Sequence, residues 1–409
     1  MLSEKLKHIS RRDVLRLTKQ FGISSTLLAA GSLTGAISLP RLADAANSTY
    51  KKRFSGEPKF KLKFGAAGFN EKNLLIERAG VLQFINDLEE RTDGAIRVEF
   101  IGNNQICGQL NCVKKTQQGI VDMYASSTQN AAGGAPYLNV LDYAYQFPSR
   151  ASQYHFLYHP KSMSVLREPM RKRHGIEFLF SHAELRGIML GLKWKDKPTV
   201  TSVDQLAGTK NRVTGTQLGR IAMNLMKLNP VPIAWEETLD GLKQGLIDGA
   251  ETWMSAVAYA NMAPVVSQCV DLRFFCGTEH TAMSGKVFDS LGGELQDAVM
   301  ESAYLTQVHI QAANEAALVN TCGASNPQKP GTIFVKYGTR VADISDAEVK
   351  KAEEMCSPEF HPKAWEEWRD RLNKWSGGLD TYKEIYDVAR EIPKDMLAEN
   401  VEPRRWWKG

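Results

Sequence analysis

One short segment occurs twice in this chain, and it limits the available folds more than any other feature. Gln118-Gly119-Ile120-Val121-Asp122 and Gln244-Gly245-Leu246-Ile247-Asp248 agree at every position by residue type. In each copy a helical pattern runs into a glycine, which takes the left-handed backbone of a helix C-cap without a Cβ penalty. An apolar pair follows at once, as at the start of a buried strand. Upstream of the first copy, 60–64 alternates as a strand and Leu75, Ala79, Leu82, Ile85 and Leu88 recur at helical spacing over 73–91. Residues 96–101 alternate again, 111–118 suit a short helix, and 120–125 read as a third strand. Upstream of the second copy, Arg212-Val213-Thr214 is strand-like, 218–228 helical, 230–233 extended and 236–244 helical. The β-α-β-α-β order predicts a parallel α/β lobe, twice over. Open α/β sheets bind ligands beyond the carboxyl ends of their strands. Those ends deliver Ser126-Ser127-Thr128-Gln129 in one lobe and Glu251-Thr252-Trp253 in the other.

At 409 residues the chain exceeds one ordinary core. The rest of its length goes to a strand at 176–181 and to long helical patterns at 295–318, 347–356 and 364–375. Trp365, Trp368, Trp375, Trp406 and Trp407 fall in this last part, where tryptophans at helical spacing serve packing.

The N-terminus has a different composition. Ser10-Arg11-Arg12-Asp13-Val14-Leu15 precedes a weakly apolar run over 21–39 and then Ala43-Asp44-Ala45. This order predicts an export signal over 1–45, of the twin-arginine kind, followed by a polar linker over 46–57. Val14 stands where that motif prefers Phe, so the general secretory route stays open, as does retention as an anchor. Past residue 45 the net charge of +5 falls to +1, with 44 Lys/Arg against 43 Asp/Glu. So even a balance provides no footprint for nucleic acid or an anionic membrane, and any anion site must be local. All six cysteines lie past the signal, and an oxidising compartment favours pairing. Proximity suggests Cys107–Cys112, Cys269–Cys276 and Cys322–Cys356.

No GxSxG, HExxH, GxxxxGK[ST] or strand-linked GxGxxG occurs, and nothing argues for an enzyme. His155 and His159 are four apart and could share a helix face with a metal; the plainer reading is a polar surface pair, and no metal site is assigned. Binding residues are easier to nominate. Arg212 closes a strand, where its planar fork can take a carboxylate through two parallel hydrogen bonds, and Arg186 is a second cation. Phe69, Tyr137, Trp235 and Trp253 fall on loops expected to form an apolar wall beside them.

From about residue 59 to 319 the chain resembles the substrate-binding subunits of tripartite ATP-independent periplasmic (TRAP) transporters. The resemblance rests on the strand and helix of 60–92, Gln118-Gly119-Ile120-Val121-Asp122 and Leu141-Asp142-Tyr143-Ala144-Tyr145-Gln146-Phe147-Pro148. It rests most specifically on Val203-Asp204-Gln205-Leu206-Ala207-Gly208-Thr209-Lys210-Asn211-Arg212-Val213 and on the run from Leu242 to Trp253. It implies a two-lobed α/β fold of the type II periplasmic-binding-protein kind, with a hinge, a cleft and a helical C-terminal extension. Lobe I would hold 58–183 with 278–318, and lobe II 184–277 with 319–409. It also implies capture of a small organic acid, a carboxylate or a sulfonate, for membrane permease subunits. Arg212 would clamp the acid with Arg186 assisting, and Glu251, Thr252, Trp253, Gln129, Trp235 and Phe69 would complete the site. In the branch that binds 2-oxo and 2-hydroxy acids an adjacent Glu-Trp pair sits beside a cation. Here Thr252 separates Glu251 from Trp253, so sodium or calcium beside Glu251 and Gln129 stays an open expectation and no cofactor is assigned. A ligand-presenting sensory protein and a periplasmic enzyme acting on an organic acid are the alternative readings.

Overall fold

In the computed structural model, residues 54, 56–68 and 80–408 are described. The expected signal, most of the linker, the first half of the 73–91 helix and Phe69 lie outside them. The chain divides into two units, Met1–Lys59 with Asp93–Ala95, and Phe60–Thr92 with Ile96–Gly409. The described residues of the first contain neither helix nor strand. All the helices and strands of the described residues lie in the second.

That unit begins with β1 (Phe60–Ala66), α1 (Val81–Arg91), β2 (Ile96–Ile101), α2 (Cys112–Gln117), β3 (Met123–Ser127) and α3 (Thr128–Ala131). It continues through α4 (Arg150–Tyr158), β4 (Ile176–Ser181), β5 (Glu184–Gly191) and β6 (Lys210–Val213). Next come α5 (Gln217–Leu225), β7 (Asn229–Pro232), α6 (Trp235–Lys243), β8 (Gly249–Thr252) and α7 (Met254–Tyr259). The last elements relevant to the site are β9 (Val266–Gly277), β10 (Glu279–Ser284), α8 (Gly293–Ala317), β11 (Arg340–Ala342), α9 (Asp346–Cys356), α10 (Pro362–Trp375) and α11 (Thr381–Val388). Two sheets result, β2-β1-β3-β10-β4 and β11-β9-β5-β8-β6-β7.

The repeated segment marks a repeated design. In one sheet β1 pairs in parallel with β2 and β3; in the other β6 pairs in parallel with β7 and β8. Each trio is then flanked by an antiparallel strand, β10 beside β3 and β5 beside β8. Both sheets are therefore mixed, where parallel lobes were expected. The turn before each third strand is built the same way. Gly119 and Gly245 have φ of 73° and 70°, conformations that suit glycine. The Asp122 carboxylate accepts from the Lys63 amide at 2.7 Å, and the Asp248 carboxylate from the Lys210 amide at 2.9 Å. In return the Asp122 and Asp248 amides donate to the carbonyls of Lys63 and Lys210. Each aspartate thus binds both polar groups of one residue on the first strand of its trio and fixes register between the two. These turns also move the start of β3 to Met123, later than the expected 120.

The tryptophans of the C-terminal part are packing residues: Trp365 and Trp406 are fully buried, and Trp368, Trp375 and Trp407 pack against the same core. Of the expected disulfides only Cys107–Cys112 forms, with 4.8 Å between Cα atoms. Cys269, Cys276, Cys322 and Cys356 are buried thiols. Cys269 and Cys276 share β9 but pair with Met189 and Leu185 of β5, four residues apart, so at about 3.3 Å per residue they sit roughly 13 Å apart, beyond the reach of a disulfide. Cys322 and Cys356 belong to different apolar clusters. Among the described residues no helix is long and apolar enough to cross a membrane.

Candidate functional site

The carboxyl ends of β3, β6 and β8 converge, and the N-terminal end of β5 joins them because β5 runs antiparallel to β8, Gly187 facing Thr252. A cavity of about 10 Å³ lies there, lined by Gln109, Ser127, Asn130, Arg186, Arg212, Thr214, Trp235, Thr252, Trp253 and Tyr259. That is room for about one water, so a larger ligand enters only if the two sheets separate or the lining side chains move.

Arg186 lies opposite an irregularity in the neighbouring strand β9. Between Arg186 and Ile188 the partner in β9 jumps from Phe275 to Val270. Arg273, inside the looped-out stretch, has φ of 55°. Gly187 sits at the crossing, where a Cβ would come within 2.1 Å of the Val270 carbonyl oxygen. Such bulges re-aim side chains next to sites. The Arg186 guanidinium donates through Nη1 to both Glu251 carboxylate oxygens, at 3.0 and 3.2 Å, and through Nε to the Cys276 carbonyl at 3.3 Å. Its Nη2 faces the Ser127 hydroxyl at 3.4 Å, and its plane lies 4.5 Å from the Trp253 ring centre. Arg186 and Glu251 are both buried. A buried charge pair of this kind is costly to break from either side.

Arg212 is held differently. Its Nε donates to the Ile233 carbonyl at 3.1 Å and its Nη1 to the Glu251 carbonyl at 3.4 Å. Nη2 is buried and has no hydrogen-bond partner among the described residues. Burial, with the Arg186 charge adding to it, lowers the Arg212 pKa to about 10 despite the nearby Glu251. The Trp235 ring centre lies 5.2 Å from the guanidinium carbon. Two further buried groups on the cavity wall lack partners among the described residues, the Trp253 indole Nε1 and the Asn130 amide oxygen. One cationic N–H, one neutral N–H and one acceptor therefore surround the same small space.

The remaining nominated residues form the supports. Gln129 donates to the Asp142 carboxylate and accepts from the Thr214 hydroxyl at 2.8 Å. It therefore links the end of one sheet to the end of the other. Asp142 is buried, and desolvation pushes its pKa up to about 7 against the pull of Arg186. Both oxygens of Glu251 are turned to Arg186 and the Gln129 oxygen accepts from Thr214. Tyr137 is not in the wall. It is fully buried in the core and its hydroxyl donates to the Val165 carbonyl at 2.6 Å. Sequence reasoning did not nominate Gln109, which accepts from the Ser127 amide at 2.7 Å and donates to the Ala67 carbonyl at 3.1 Å. Its position inside the five-residue disulfide loop was the available signal.

Two mixed α/β sheets meeting at such a cleft define a two-lobed binding protein. The chain matches the family described as bacterial extracellular solute-binding protein, family 7 (DctP) over residues 69–359 and belongs to it. It is 25% identical over 232 residues to the 2,3-diketo-L-gulonate-binding periplasmic protein YiaO of Escherichia coli, covering 54% of this chain and 66% of that one. It is 26% identical over 239 residues to the C4-dicarboxylate-binding periplasmic protein DctP of Rhodobacter capsulatus, covering 56% and 62%. Its fold is similar to that of a TRAP periplasmic solute-binding protein from Sulfitobacter with bound β-D-galacturonate, with a TM-score of 0.63 and 18% identity over 81% of this chain and 100% of that one. A TRAP protein from Shewanella oneidensis with bound succinate superposes with a TM-score of 0.64 and 17% identity, covering 82% and 100%.

Proposed function

We propose that the protein works outside the cytoplasmic membrane, after export by the twin-arginine route. There it captures a small organic acid and hands it, without chemical change, to the permease subunits of a TRAP-type transporter. The observation that supports this reading best is the buried Arg212 Nη2, with no partner among the described residues, on a cavity wall completed by Trp235 and Trp253. A carboxylate oxygen supplies the missing acceptor, and a charge-assisted bond of this kind is about twice as strong as a neutral one. Relatives with bound sugar acids and succinate support the ligand class.

The charges narrow it further. Arg186 is neutralised by Glu251, so below the raised pKa of Asp142, about 7, the two arginines and one glutamate leave a single net positive charge for the ligand. A monocarboxylate, with hydroxyls for Asn130 and the Trp253 indole, fits this balance better than a dicarboxylate. The test is a thermal-shift and titration screen of mono- and dicarboxylic acids against the wild type and Arg212→Ala. A ligand that binds only the folded state raises the melting temperature. Binding by the wild type should fall by about 30-fold or more in the variant, equivalent to at least ~2 kcal/mol. Equal affinity of the two proteins would remove Arg212 from the site.

A further inference from the structure

Away from the cleft, two histidines and a glutamate from distant parts of the chain point at one another. His155 lies in the last turn of α4 and His159 caps its C-terminal end, four residues on. Both Nε2 atoms face the same oxygen of Glu391, at 3.0 and 3.4 Å. The three donor atoms all lie within 4.8 Å of one another. The imidazoles are mostly shielded, at 14% and 17% exposure, while Glu391 is 45% exposed and leaves an open side. Glu391 is delivered by a fixed neighbour. The Arg390 guanidinium donates to the carbonyls of Gln146 and Tyr145, at 2.9 and 3.2 Å, and pins the segment after α11.

We propose that His155, His159 and Glu391 form a binding site for a zinc-class divalent cation. The cation would clip α4 to the C-terminal segment, with water in the remaining coordination position. Two imidazoles and a carboxylate suit a borderline metal such as zinc, whereas calcium and magnesium want oxygen ligands throughout. At metal–ligand bonds of about 2.0–2.2 Å, tetrahedral donors stand roughly 3.3–3.5 Å apart. The His159-to-Glu391 distance of 3.4 Å is already in this range, the His155-to-Glu391 distance of 3.0 Å is a few tenths short of it, and bringing the two imidazoles together needs rotation of one ring. The His159 Nδ1 accepts from the Lys161 amide at 3.1 Å. Metal on Nε2 moves the ring proton to Nδ1, so this bond is exchanged for one to water.

The test uses chelator-treated full chain made without a histidine tag, titrated with zinc against a chromophoric competitor, with cobalt as a spectroscopic probe. The expected result is one tight equivalent per chain and a higher melting temperature with zinc. His155→Ala and His159→Ala should each weaken binding by at least 10-fold and abolish the thermal shift, and Glu391→Gln should weaken it less. Zinc affinity unchanged in His159→Ala, or no binding by the wild type at 100-fold excess of zinc, would overturn the proposal. The variants' unshifted melting without metal would show that they fold, so loss of zinc binding would not be loss of structure.

Discussion

Arg186 and Arg212 lie in the same cavity wall, are equally buried and carry the same charge, yet the protein treats them in opposite ways. Arg186 has every direction of its fork answered by the chain: the Glu251 carboxylate, the Cys276 carbonyl and the Ser127 hydroxyl. Arg212 is given two carbonyls, and its last nitrogen is left without a partner among the described residues. The difference separates two jobs that sequence alone merges. On the proposed function, the arginine with its own carboxylate serves the scaffold, and the one with a nitrogen left over receives the carboxylate of the ligand.

The comparison can be broken most severely on the Arg186 side. Arg186→Ala leaves Glu251 buried and unpaired, and should lower unfolding stability by about 3–5 kcal/mol, read from denaturant titration. Combining Arg186→Met with Glu251→Leu should recover most of that loss. Arg212→Met should cost little stability, since it removes a half-partnered charge. If the two arginine variants lose stability equally, the division of labour fails. A second probe is the disulfide that holds Gln109 against Ser127. Replacing Cys107 and Cys112 with Ser should cost about 2 kcal/mol by the loop-entropy estimate, and should weaken acid binding a few-fold through looser Ser127, measured by titration. The mildest probe is pH. Asp142 has its pKa raised from 3.8 to about 7 by burial. Below pH 4 it is protonated in the folded and unfolded chain alike; above 7 it is ionised in both, but in the folded chain without water. Stability should therefore fall as pH rises from 4 to 7, by at most about 1.4 kcal/mol per pH unit. Asp142→Asn should flatten that slope, and a slope unchanged in the variant would remove Asp142 from this role.

For the alternating strands, legibility in the sequence came from one wet face. The alternation of 60–64 and 96–101 and the helical spacing around them show through because one side of each element meets the core. The strands β5, β9 and β10 did not show. Glu184–Gly191 and Glu279–Ser284 are buried on both faces, so no period of two is left to read. That is why the mixed character of the sheets was missed, and with it the pairing of Arg186 to Glu251. The two residues are 65 apart in sequence and meet only because β5 lies antiparallel to β8. The place of Arg212 near the end of a strand was legible because Arg212-Val213-Thr214 reads as extended. Its missing partner was not, because absence of an acceptor is a property of packing. Cys269 and Cys276 misled for a related reason: closeness along an extended strand is distance in space.

The partnerless nitrogen of Arg212 also bears on how long the molecule survives. On the proposed function, the anion that completes this nitrogen's bonding binds the folded state and stabilises it by mass action. Abundance of the protein would then be tied to abundance of its solute. With the solute scarce, openings exposed to proteases would become more frequent, and the chain would be cleared faster in just those conditions where it has nothing to carry.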